Sequence, residues 1–228
     1  LYDSNYEAAA SYYTKALTRD PGNAEIVEDV IMANISLGNV EKAAIIARKL
    51  EADGHQSQVA QMALAALDAR DQDYAALIKR IDDGRHMGEL LDQLVRGWAK
   101  LGAGDMTAAL KDFDAAVEGK GSRAFGLYHK ALALAHVGDL EAAEAIFSDP
   151  APGSLVQTRR GVIAYVQVLS QMGRSTEALA VMKDRFGTSS DPEIAAMTKA
   201  LEAGDNLKFD MVSSPTDGVS EVYFSIAG

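Results

Sequence analysis

Apolar side chains recur three and four residues apart in block after block of this chain, and short polar turns separate the blocks. Six of those turns fall at a near-constant interval. Ser4-Asn5, Gly38-Asn39, Gln72-Asp73, Gly104-Asp105, Gly138-Asp139 and Gly173-Arg174 lie 34, 34, 32, 34 and 35 residues apart. Two residues past the first residue of each turn stands Tyr6, Val40, Tyr74, Met106, Leu140 or Ser175. Five past it stands Ala9, Ala43, Leu77, Ala109, Ala143 or Ala178, and nine past it Tyr13, Ala47, Ile81, Phe113, Phe147 or Met182. Offsets of two, five and nine lie along one face of a helix that starts just after the turn. A small residue at one spot and a large one at another is what close helix packing requires.

The turn-following helices are predicted over 5–18, 39–52, 73–83, 105–118, 139–148 and 174–186. A second apolar helix precedes each later turn, over 23–37, 57–71, 89–102, 122–137 and 155–172, and 191–203 opens one more pair. Punctuation agrees with this division. Asp20-Pro21-Gly22-Asn23 and Asp149-Pro150-Ala151-Pro152-Gly153 separate helices, and Asp191-Pro192-Glu193 places a cap, a first-turn proline and a first-turn acid in order. All five prolines fall between helices, at a helix start or in the tail. Past Gly204-Asp205 the repeat fades into polar, irregular sequence. A fresh helical pattern then runs from near Thr216 through Val219, Val222, Tyr223 and Ile226, either packing back on the array or beginning the next repeat.

A repeat of this period is the mark of a helical solenoid. The fold class expected is therefore all-α, with an array over 1–203. It opens on a half repeat over 1–23, its repeats start near 24, 57, 89, 123 and 157, and helix 191–203 starts a further unit. Residues 204–228 form a linker and a truncated C-terminal helix.

Composition supports the all-helical reading: 48% of residues are hydrophobic, only 7% aromatic, and prolines number five. The net charge of -11 argues against a nucleic-acid backbone or an anionic membrane as partner. Cysteine is absent, which removes disulfides and thiolate chemistry. No stretch approaches the roughly 18 apolar residues of a membrane span. The chain opens on Leu1 inside a repeat and stops at Ile226-Ala227-Gly228 inside a helix, so it reads as a fragment of a longer protein.

These residues carry a family resemblance. Residues 4–23 resemble the second half of a tetratricopeptide repeat, with Asn5-Tyr6-Glu7-Ala8-Ala9, Tyr13, Ala16-Leu17 and Asp20-Pro21 at its turn, aromatic, small and proline positions. Residues 127–143, LYHKALALAHVGDLEAA, are similar to its first helix, turn and start of second helix, and Tyr165, Val166, Leu169, Gly173 and Ala178 sit in matching places. Departures from the motif are Arg96 and Lys130 at positions where leucine is usual, Gln72 for the turn glycine, and Gly84-Arg85-His86-Met87-Gly88 in place of a proline turn. The chain is also similar to long bacterial repeat proteins that often carry an export signal, which leans its expected location towards the periplasm.

The resemblance implies a right-handed superhelix of antiparallel helix pairs, an α-α superhelix whose concave wall is built from the first helix of each pair. It implies binding of a peptide, partner helix or domain there, without catalysis. Carried over, the wall consists of Glu25, Glu28, Met32 and Ile35, then Val59, Met62, Ala66 and Arg70. Leu91, Leu94, Trp98 and Leu101 follow, then Phe125, Tyr128, Leu132 and His136, then Arg160, Ile163, Gln167 and Gln171. The partner-binding groove is expected at Met62, Leu94, Trp98, Leu101, Phe125, Tyr128, Leu132 and His136, because aromatic side chains in a concave site anchor interfaces. The competing reading buries these side chains against neighbouring helices. Family members that clamp a terminal carboxylate use a basic cluster on this wall. Glu28 and Met32 stand where it would begin, and no such cluster follows. Arg159 and Arg160 read as an isolated basic pair on a solvated face.

Catalytic chemistry finds little to stand on. His129 and His136 are seven apart, whereas helical metal pairs prefer three or four, so no metal and no cofactor is expected. Asp71/Asp73, Asp82/Asp83 and Asp112/Asp114 read as caps and surface charge. No phosphate loop and no nucleophile motif occurs. The leading expectation is a non-catalytic scaffold for a protein or peptide partner, without nucleic acid and without membrane insertion. Its rivals are a self-associating module, a homodimer formed through exposed array ends, and a non-catalytic arm of a larger protein with its activity elsewhere.

Overall fold

Helices α1 (Tyr6–Arg19), α2 (Ala24–Ser36), α3 (Val40–Ala52), α4 (Gln58–Arg70), α5 (Tyr74–Asp82), α6 (Glu89–Gly102) and α7 (Met106–Glu118) are followed by α8 (Arg123–His136), α9 (Leu140–Phe147), α10 (Arg159–Gln171), α11 (Ser175–Phe186), α12 (Pro192–Glu202) and α13 (Pro215–Ala227). This computed structural model describes residues 6–20, 22–149, 158–187 and 189–227, and among them no strand occurs. The ends match the sequence pattern to within a residue, apart from the start of α10. The turn at Ser4-Asn5, Pro21, residues 150–153 and the opening of the helix expected from 155 lie outside the described residues.

Local chemistry explains why the helices begin and end there. Asn23, Ser57, Asp73, Asp105, Asp139, Thr158 and Asp191 each accept a hydrogen bond from a first-turn amide of the helix that follows. Those amides have no partner within the helix, so each cap is worth about 1 kcal/mol. The repeating turns close in a left-handed residue. Gly38 has φ 74°, Gly138 φ 88°, and the amides of Asn39 and Asp139 reach back to the carbonyls of Asn34 and Leu134. Gln72 holds this same conformation with φ 58°, alone among the described non-glycine residues. A side chain there costs roughly 1 kcal/mol. Gln72→Gly is therefore expected to raise the urea midpoint of unfolding slightly, the relief of strain leaving at most about 0.5 kcal/mol after the glycine's own entropic cost. An unchanged or lower midpoint would contradict the strain.

The chain divides into two compact bodies, Leu1–Asp92 and Gln93–Gly228, each built of helices packed on their sequence neighbours. In the N-terminal body, Ala43, Ala44, Ala47 and Leu50 of α3 meet Val27 and Ile31 of α2 and Ala60, Ala63, Leu64 and Leu67 of α4. In the C-terminal body, Val162, Ile163, Val166 and Leu169 of α10 meet Ala178 and Met182 of α11 and Ile194, Met197 and Leu201 of α12. The small positions Ala43, Ala109, Ala143 and Ala178 and the large ones Phe113 and Phe147 are fully enclosed, as the repeating offsets require. Each large apolar group so buried contributes about 1.5–3 kcal/mol.

Two departures from the repeat motif, Arg96 and Lys130, are each matched by an acid. Arg96 of α6 meets Asp112 of α7 at 2.9 Å, Lys100 meets the same carboxylate at 2.6 Å, and Lys130 of α8 meets Asp114 at 2.6 Å. Asp112 is only 5% exposed, so it is not the surface charge that its sequence context suggests. Two cations stand in for the water that a carboxylate so enclosed gives up, with Arg96 Nε also donating to it at 3.1 Å. In the N-terminal body, Arg80 of α5 and Asp68 of α4 form the same kind of buried pair at 2.8 Å.

Candidate interaction surface on the C-terminal body

Helices α6, α8 and α10 are the first members of successive pairs. Their shared wall is not open. Residues 205–214 cross it without regular structure, and α13 then packs on α8 instead of continuing the stack beyond α12. Of the two alternatives for this last piece, it packs back on the array.

Each residue expected in the groove has a definite place. Leu94, Trp98 and Leu132 are completely enclosed, and Leu101 and Tyr128 are nearly so. Phe125 and His136 are half-buried. Met62 is half-buried on α4 of the N-terminal body. The aromatic stretch is thus a covered seat, not a bare patch, because the chain's own C-terminal segment lies over it. Trp98 stands edge-on to Phe113 with ring centroids 5.6 Å apart. Gly218 of α13 lies against its indole so closely that a Cβ at that position would sit 2.1 Å from a ring carbon.

Polar contacts fix the register of α13. The Tyr128 hydroxyl donates to Glu221 at 2.8 Å, and the Arg160 guanidinium donates to both oxygens of the same carboxylate, one of them at 2.8 Å. Glu221 is 4% exposed. Burial and the Glu221 charge push the Tyr128 hydroxyl well above the ordinary phenol range, so it stays protonated and remains a donor. Arg160 also lies 4.7 Å over the Phe224 ring. The sequence reading of Arg160 as a solvated cation is therefore corrected: it is half-buried and engaged by α13. Arg159, its neighbour, pairs instead with Asp191 and Glu193 at the start of α12.

His129 was missed as a wall residue. It is fully enclosed in the midst of a relay. The Trp98 indole N–H donates to His129 Nδ1 at 3.0 Å, and His129 Nε2 lies 3.1 Å from the Ser225 hydroxyl. An indole nitrogen only donates, so Nδ1 carries the lone pair and Nε2 carries the proton, which it donates to Ser225. Burial lowers the imidazole to about 3, and the ring is neutral. His136, seven residues on, meets the carbonyl of Val212 at 3.3 Å. Both histidines face the C-terminal segment.

The irregular stretch is gripped through its main chain. Ser170 Oγ accepts from the Leu207 amide at 2.8 Å, and the Gln171 side chain donates to the Leu207 carbonyl. Gln167 accepts from the Asp210 amide at 3.1 Å and donates to the Asp210 carboxylate at 2.6 Å. Gln167 and Gln171 are α10 positions that repeat register places on the wall, and Ser170 lies next to Gln171 on the same helix.

The N-terminal body presents its first-of-pair helices differently. Met32 is 41% exposed, Glu25 and Arg70 are exposed, and Glu28, Ile35 and Met62 are half-buried. Among the described residues no helix is long and apolar enough to cross a membrane.

Comparison with known proteins gives the same picture. Two sequence models of the tetratricopeptide repeat match, one over residues 1–67 and one over residues 94–153. No curated protein matches the chain. Tetratricopeptide repeats generally mediate protein–protein interaction and are typically non-catalytic. With repeats matched in both bodies and helix pairs throughout the described residues, the chain is a tetratricopeptide-repeat protein.

Proposed function

We propose that the chain is a non-catalytic scaffold that holds a polypeptide segment of a protein partner on the wall formed by α6, α8 and α10. One observation carries this reading: the wall already holds a polypeptide segment, gripping its main chain through Ser170, Gln167 and Gln171 and its carboxylate through Arg160 and Tyr128. Side chains mounted on packed helices lose little freedom on binding, so most of the contact energy goes into affinity. Tyr128 and Trp98 supply broad, stiff surfaces with a polar edge each. The groove residues Leu94, Trp98, Leu101, Phe125, Tyr128, Leu132 and His136 are its seat, and Met62 is a contact of the N-terminal body.

A photo-crosslinking amino acid tests this in the full chain. Placed at Phe125, half-buried on the wall, it is expected to give several-fold more adducts with other polypeptides of the native extract than the same group at Lys111, exposed on α7. Equal yields, or none from the wall, would overturn the assignment.

A further inference from the structure

We infer that residues 206–227 are an exchangeable internal ligand. The wall closes on them until a partner segment of the same design replaces them: an extended lead, then a helix with a small residue followed three positions later by a carboxylate. This inference rests on the wall being the docking surface, and adds what it selects and what regulates it.

The extended lead is recognised mostly without regard to sequence. Leu207 and Asp210 are held by their amides and Val212 by its carbonyl, groups that every polypeptide presents. Selectivity lies in the helix that follows. Ser214 accepts from the Asp217 amide, Asp217 accepts from the Ser213 amide, and Pro215 occupies the first turn, so this helix starts sharply. Its fourth residue, Gly218, sits on Trp98, where a side chain has no room. One turn later Glu221 enters the slot between Tyr128 and Arg160. Gly218 and Glu221 are three apart and share a helix face, so together they define a two-point code.

The seam is also of a kind that can part. A core helix of the array is held by apolar side chains, as α12 is by Ile194, Met197 and Leu201. On α13, Val219 and Val222 are buried, but the contacts that fix its register are an ion pair, a phenol bond and a histidine bond. Charged groups regain water on release, which offsets much of what their pairing contributes. A tethered segment competes at an effective concentration on the order of millimolar. An outside segment therefore binds with an apparent affinity reduced by the fraction of time that the wall is closed.

The test uses the full chain and a fluorescent synthetic peptide of residues 206–227. Glu221→Lys sets its own helix against Arg160 while leaving the wall intact. This variant is expected to bind the peptide at least about tenfold more tightly than the wild-type chain does. Adding Arg160→Glu to it should abolish that gain, as should a peptide carrying Gly218→Val. Equal peptide affinity in Glu221→Lys and wild type would overturn the inference. Hydrogen exchange on the unmutated chain gives an independent reading. Amides of 206–227 are expected to open well below the free energy at which α8 and α10 open. Exchange of both only through a common global opening would equally overturn it. Wall crosslinks to other polypeptides without peptide exchange would sink this inference alone and leave the docking surface standing.

Discussion

Gly126→Ala is expected to lower the free energy of unfolding by about 2 kcal/mol, although alanine is the better helix former by about 1 kcal/mol. Gly126 lies in the first turns of α8, where that helix passes the end of α7. A Cβ there would stand 2.5 Å from the Val117 amide nitrogen and 2.8 Å from the Ala116 carbonyl carbon. Those are main-chain atoms, so no rotamer change relieves the overlap, and the two helices must separate. The turn that joins them has no slack. Ser122 is buried and donates to the Ala116 carbonyl at 2.7 Å, and Gly121 is left-handed with φ 81°. Overpacking a close contact costs about 1–3 kcal/mol, and here the upper end applies. The measurement is the urea midpoint. A rise would mean that the helices do not approach this closely. The effect also reaches the wall, because α8 carries Tyr128, His129 and His136.

Much of this architecture could be read from spacing alone. Helix faces repeat every turn or two, so Ala109, Phe113, Ala143 and Phe147 announce their burial through neighbours near in sequence. The same register puts Tyr128, His136, Arg160, Gln167 and Gln171 on one side of the array. In the structure all five meet the C-terminal segment. What spacing could not supply is the occupant. Tyr128 and Glu221 are 93 residues apart, and nothing in the periodicity of α13 says which way its apolar face turns or what it finds there. Trp98 reads as an exposed anchor until Gly218 is laid on it.

Asp112 is a similar case. Arg96 and Asp112 each look anomalous alone, one as a cation in place of leucine, the other as one of a pair of acids. Only packing of α6 on α7 joins them. The sequence offers His129 only as a candidate metal ligand, because a buried histidine has no pattern of its own. Its role depends on a donor from α6 and an acceptor from α13.

That histidine makes the seam sensitive to acid. Its ordinary value of 6.5 falls to about 3 in the folded chain, because burial disfavours the charged ring. A depressed histidine favours folding while it is neutral. Its contribution is therefore complete above pH 6.5 and is lost progressively as the pH falls towards about 3. Each unit in that window is worth about 1.4 kcal/mol, so about 2–3 kcal/mol is gone by pH ~4.5. The geometry agrees with the sign. Protonation would place a hydrogen on Nδ1, facing the Trp98 N–H that now donates to it, and two donors would meet with no acceptor between them. Relief comes by freeing α13, since Ser225 is the one partner in the relay that belongs to the C-terminal segment.

Trp98 is the sole tryptophan of the chain, so its emission reports this opening directly. A shift to longer wavelength is expected on acidification within that window. His129→Gln keeps a side chain able both to accept and to donate, and carries no proton to gain. It should flatten the part of the pH slope that belongs to the imidazole, while Glu221, Arg160 and Tyr128 remain in place on the same seam. An identical slope in the two proteins would show that the ring does not control the seat of α13.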